Sequence, residues 1–216
     1  MTSLLARIAV AFGLASFVLM AALHALRPDL NPAWHVLSEY AVGKFGFLMA
    51  LCFLCAGIAA ASLIEPLLPY ARGRAGRAGL IFLGLASLGL LMAAVFPMDP
   101  ITTSPDSATF SGTMHEIAGT IGVPAQVLAA IFITLTLRKN AVWWNVRAGL
   151  LALTHLTWIG VLLTFVFVAV LMQRHALGGW WMVGWANRLF MAAFCGWVIV
   201  AACPLMASAR AKVAAV

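Results

Sequence analysis

Nine residues of this sequence can do chemistry, and they gather at the edges of its apolar segments. The stretch from His24 to Lys44, HALRPDLNPAWHVLSEYAVGK, carries His24, Arg27, Ser38 and Glu39, and later segment ends add Asp99, the pair His115-Glu116 and the pair Asn187-Arg188. His24, Asp99 and His115, with Glu39 or Glu116 as a further member, have the side chains of a divalent-metal site that activates water if the fold makes them converge. No short histidine motif fixes their mutual geometry. Ser38 becomes a nucleophile only where the fold sets a base against it, which adjacency to Glu39 in sequence does not do. Arg188, one turn inside an apolar segment, calls for an acidic residue, a phosphate or water. Glu39, Asp99 and Glu116 are its expected protein partners.

The elements that must position these residues are membrane helices. Of 216 residues 64% are hydrophobic and 9% charged, and the mean hydropathy is +1.05, too apolar for a soluble domain. The net charge of +7 resides mainly in connections between apolar segments, with no basic aromatic patch, so the partner it implies is a membrane surface and not nucleic acid. Cys52, Cys55, Cys195 and Cys203 all fall inside apolar segments and read as small hydrophobes, not as disulfides or metal ligands.

The chain reads as one all-α transmembrane domain over residues 1–216, a polytopic integral membrane bundle with six spans near 4–26, 45–64, 78–96, 115–137, 148–172 and 185–205. Pro28 and Pro32 end the first span, and Glu65-Pro66 marks the exit of the second. Pro124 sits inside the fourth, where a kink can open a lateral cavity or expose backbone groups. Trp34, Tyr40 and Trp143-Trp144 suit the headgroup boundary, as do Trp180-Trp181 and Trp185. Arg72, Arg74 and Arg77, then Arg138, Lys139 and Arg147, then Arg210 and Lys212 form basic stretches. They alternate with connections poor in Lys and Arg, such as the one holding Asp99 and Asp106. The positive-inside rule therefore predicts that both termini are cytoplasmic and that the polar constellation faces outward.

Arg27-Pro28, the S-E-Y run Ser38–Tyr40, the F-P-x-D-P run Phe96–Pro100, His115 opening the fourth span and Asn187-Arg188 opening the last resemble, in order and spacing, the bacterial membrane-protein family called domain of unknown function 998. Met98 departs from the small polar residue often found within F-P-x-D-P and removes a hydroxyl from the polar network. The resemblance implies a compact six-helix fold in the bacterial inner membrane. It implies no activity.

Two function classes follow. The favoured one is binding of a membrane lipid or other small amphiphile at the outward-facing polar site, or organisation of membrane components. The alternative is a metal-dependent hydrolase acting on a lipid-like substrate. No cofactor is firmly implied: a divalent metal at His24, Asp99 and His115 is the candidate, and haem is disfavoured because His155 lies about 10 Å into its span from the opposite side to His115. A homo-oligomer is left open.

Overall fold

The computed structural model describes residues 2–100, 103–173 and 182–213. They form six long helices, α1 (Thr2–Leu26), α2 (Gly46–Leu67), α3 (Gly73–Val95), α4 (Phe110–Leu137), α5 (Arg147–Gln173) and α6 (Val183–Val213). Each contains a stretch long and apolar enough to cross a membrane. A helix is the form that satisfies every backbone N–H and C=O internally where no water is present, which is why continuous apolar runs adopt it. The chain is thus an all-α multi-pass membrane protein. The connection holding Arg174, His175 and Trp180-Trp181 lies outside the described residues.

Local chemistry sets the helix ends. α1 stops at Leu26, just before Pro28. α2 carries Pro66 in its last turn and ends one residue later. α3 starts at Gly73 and not near Ala78, so Arg74 and Arg77 lie on its first two turns instead of in a loop. α4 starts at Phe110 and not near His115, because Thr109 caps it by accepting from the Gly112 N–H. That extra turn and a half sets His115 inside the helix instead of at its tip.

The helices close into a ring in which α1 packs on α2 and α6, α3 on α2 and α4, and α5 on α6. The seam between α4 and α5 is the least extensive of the neighbouring pairs. α6 also touches α2 and α4 and is the most buried span, 56% of its most apolar window, against 22% for that of the span Ala141–Ala169, which takes in most of α5. α6 is therefore the axial element and α5 the peripheral one. At Gly89 and Gly122 the backbones of α3 and α4 come so close that a Cβ on Gly89 would lie 2.7 Å from the Gly122 Cα. This close approach is the contact that small residues permit in membrane helices.

Indole and hydroxyl groups fasten the end of the bundle at which α2, α4 and α6 finish. Trp197 donates to Thr134 Oγ1 (2.8 Å), which pairs with Thr154 Oγ1 at 2.9 Å. Trp143 donates to the Ala201 carbonyl at 3.0 Å and packs edge-on against Tyr70. Trp143 is fully buried, whereas its neighbour Trp144 is exposed under the Arg147 guanidinium, 3.8 Å away.

Candidate functional site

All nine candidate residues lie toward the other end of the bundle, where α1, α3 and α5 finish and α2, α4 and α6 begin. The structure sorts most of them into two networks and leaves the rest on a cavity between them.

In the first network the α1–α2 connection folds over the bundle as a plug. Its one helical piece is a short 3₁₀ turn, Leu37–Ala41, with Leu37, Glu39 and Tyr40 buried. Arg27 ties the plug's two ends together. Its Nε and Nη2 donate to the Asp29 carboxylate (2.8 to 3.1 Å), and its Nη1 donates to the carbonyls of Val42 (2.9 Å) and Lys44 (3.0 Å). These hydrogen bonds hold the Asp29 carboxyl below its ordinary pKa and raise that of Arg27. Glu39 accepts from His35 Nδ1 (3.0 Å) and reaches back to the Val36 N–H (2.8 Å), so its carboxylate serves the turn itself.

The start of α6 clamps the plug from below. Asn187 Oδ1 accepts the Leu37 N–H at 2.9 Å, and the Gly184 N–H donates to the Ala33 carbonyl at 3.0 Å. Gly184 has no alternative, since a Cβ there would overlap the Pro32 carbonyl oxygen. Arg188 does most of the clamping. Its Nη1 donates to the carbonyls of Pro32 (3.0 Å), His35 (2.7 Å) and Gly184 (2.9 Å), its Nη2 to the Tyr40 hydroxyl (3.1 Å) and its Nε to His24 Nε2 (2.6 Å). The Tyr40 hydroxyl in turn donates a hydrogen bond to the Leu30 carbonyl at 3.2 Å.

His24 receives the guanidinium as a neutral ring. Its Nδ1 faces the Met20 carbonyl at 2.6 Å, which only accepts, so Nδ1 carries the proton. Nε2 must then present a lone pair to Arg188, and the ring is neutral. The expected pairing of Arg188 with Glu39, Asp99 or Glu116 is not what the structure contains: among the described residues its side chain makes hydrogen bonds only to neutral acceptors. Carbonyls converging on a guanidinium from several directions disperse its charge without a carboxylate.

The second network belongs to the α3–α4 connection. Asp99 accepts from the Thr109 N–H and Thr109 hydroxyl, both at 2.8 Å, and Ser111 donates to the Pro97 carbonyl at 2.8 Å. The F-P-x-D-P run is thus a capping device, with a carboxylate at the positive end of α4. His115 Nδ1 donates to the Phe96 carbonyl at 2.8 Å. The three metal candidates do not converge: His24 has both ring nitrogens committed in the first network, and Asp99 caps α4 in the second. Among the described residues no group of three or more His, Cys, Asp or Glu side chains is placed to hold a metal. His155 accepts from the Trp158 indole within its own helix (2.9 Å).

Between the networks lie two adjoining spaces. A narrow inner cavity of about 80 Å³ is lined by Ser38, His115, Gln126 and Asn187 among small and apolar residues of α2, α3, α4 and α6. A wider cleft of about 540 Å³ lies between α4, α5 and α6, lined by Glu116, Thr120, Pro124 and Phe165 among others. Gly119, Val123, Asn187 and Phe190 line both. A Cβ built on Gly119 meets nothing within 4 Å, so the wall between the two spaces is thin there.

Sequence reasoning missed Gln126. It is 2% exposed, and its Oε1 has no hydrogen-bond partner among the described residues. The signal was present as an amide in the middle of an apolar span, where an unsatisfied group costs about 1–3 kcal/mol. Pro124, lacking an N–H, cannot supply the usual helical donor to the Thr120 carbonyl one turn earlier. Glu116 is exposed on the cleft and makes no hydrogen bond or ion pair among the described residues.

A family model described as "Protein of unknown function (DUF998)" matches residues 9–204. No curated protein and no solved structure matches the chain.

Proposed function

From the premise that the chain belongs to the DUF998 family, a membership that carries no activity with it, we propose that the protein binds a membrane lipid or other small amphiphile in the cleft between α4, α5 and α6. The observation that carries this reading is the cleft itself. Its volume of about 540 Å³ is that of a ligand site. It opens sideways at the weakest seam of the ring, and it adjoins an inner cavity that contains an orphan amide. Apolar walls from Val123, Val161, Phe165 and Phe190 suit a hydrocarbon chain, while Glu116, Thr120 and Asn187 suit a polar head. The inner cavity, at about 80 Å³, has room for several waters or a small polar group to reach Gln126.

Arg188 takes no part in holding the ligand directly. Four of its five N–H groups are already engaged, so it braces the plug above the site instead of receiving an anionic head. We place the site on the outward side of a bacterial inner membrane with both termini cytoplasmic, supported by the alternation of basic and non-basic connections.

Gly119→Leu tests the reading. Leucine fills space that no protein atom occupies and improves helix propensity by about 1 kcal/mol, so the variant is expected to fold. Native mass spectrometry of protein released from mild detergent should show a bound amphiphile on the wild type and its loss from Gly119→Leu. Equal retention by both proteins would sink the proposal.

A further inference from the structure

Resting on the amphiphile reading, we infer that the head received by the cleft is cationic: a lipophilic ammonium, in place of the anionic phosphate that Arg188 first suggests. Among the described residues lining the cleft and the inner cavity, Glu116 is the one that carries a formal charge, and neither described lining contains Lys or Arg. It lies six residues into α4, about 9 Å along the axis from Phe110. A carboxylate facing a mostly apolar cleft at that depth needs a cation or water, and the described residues offer it neither a hydrogen bond nor an ion pair.

Thr120 stands one turn further in on the same face, about 6 Å along the axis from Glu116. Pro124 leaves its carbonyl without the usual helical donor. The formal charge presented where the head would sit is negative, from Glu116, with no Lys or Arg among the described lining residues to offset it. Asn187 has its Oδ1 committed to Leu37, and its amide nitrogen is the only free donor that it can add. An ammonium brings a positive charge and up to three N–H donors, so one group can serve the Glu116 carboxylate and reach toward the Thr120 carbonyl. A phosphate or carboxylate head brings only acceptors and a repulsive charge. An alcohol brings one donor and leaves the carboxylate uncompensated.

Photoreactive diazirine-bearing dodecylamine, dodecanol and dodecyl phosphate, each added to the full chain in phosphatidylcholine nanodiscs, test the inference. Crosslinks are mapped by peptide mass spectrometry to α4 residues 116–124 and α5 residues 161–165. The amine should label the cleft about tenfold more efficiently than either competitor, a preference equivalent to about 1.4 kcal/mol. Glu116→Gln, an exposed and nearly isosteric change, should reduce the amine to the level of the alcohol, and Gly119→Leu should remove labelling of the cleft. Equal or stronger labelling by the alcohol or phosphate that Gly119→Leu still blocks would overturn the cationic head while leaving the amphiphile site standing. An amine preference that survives Glu116→Gln would overturn it as well. Absence of any Gly119-dependent labelling would remove both readings.

Discussion

Arg188 shows how a single side chain can organise a membrane protein without an ion pair. Its hydrogen bonds to Pro32, His35 and Tyr40 join α6 to a connection some 150 residues earlier in the chain, and the one to His24 reaches α1. Arg188→Ala would strand several buried acceptors at about 1–3 kcal/mol each, and Arg188→Lys should rescue little, because an ammonium has three donors and lacks the planar fork. Urea or thermal denaturation in detergent should show a loss of about 3 kcal/mol or more for the alanine variant. Double-mutant cycles should find coupling of about 0.5–3 kcal/mol between Arg188 and His24 but near-additivity with Asp99 and Glu116. The opposite pattern would restore the acidic partners that the sequence suggests. On the plug, Asp29 has its carboxyl held below the ordinary 3.8 by its hydrogen bonds to Arg27. A depressed folded value stabilises the folded state above the ordinary pKa and is lost as pH falls through the folded one. The melting temperature should therefore fall less between pH 5 and pH 3 (about one unit either side of the ordinary value) in Asp29→Asn than in the wild type.

Among the elements, α4 carries the most contrasting demands. Its first turn is capped by Thr109 and reinforced by Asp99, its middle packs backbone to backbone on α3 at Gly89 and Gly122, and its opposite face borders the cleft. Asp99→Ala should cost about 0.5–2 kcal/mol, the worth of a helix cap. The same substitution should leave ligand retention unchanged, since Asp99 lines neither space. Strong loss of a bound metal or of turnover in Asp99→Ala and His115→Ala, with folding intact, would instead favour the hydrolase reading. Elemental analysis of protein from metal-supplemented cells checks it. α5 is the least buried of the six spans and meets α4 over the least extensive seam of the neighbouring pairs, and the cleft lies along that seam.

At the scale of the whole molecule, the proposed orientation predicts that cysteines introduced near Arg74 and Arg138 resist an impermeant thiol reagent in intact cells, whereas one near Asp106 is labelled. The reverse pattern would invert the protein and put the polar end in the cytoplasm. Six apolar helices were legible in the residues alone, because only a run with continuous hydrophobicity can lose its water without stranding side-chain polarity. The family was legible as well, since its motifs recur in order at helix ends whatever the tertiary packing. The interest of His24, Arg188 and Asn187 could also be read, as polar groups in apolar segments must find partners. Which partners they find was not: a guanidinium is satisfied equally by carboxylates or by converging carbonyls, and only the folding of the plug over α6 brings the Pro32 and His35 carbonyls within reach. The separation of His24 from Asp99 follows from the same cause, because helix order in the ring is set by side-chain packing between elements distant in sequence. Gln126 and the void beside Gly119 were decided by tertiary structure alone. An orphan acceptor and an empty space are relations between helices, and no single segment records them.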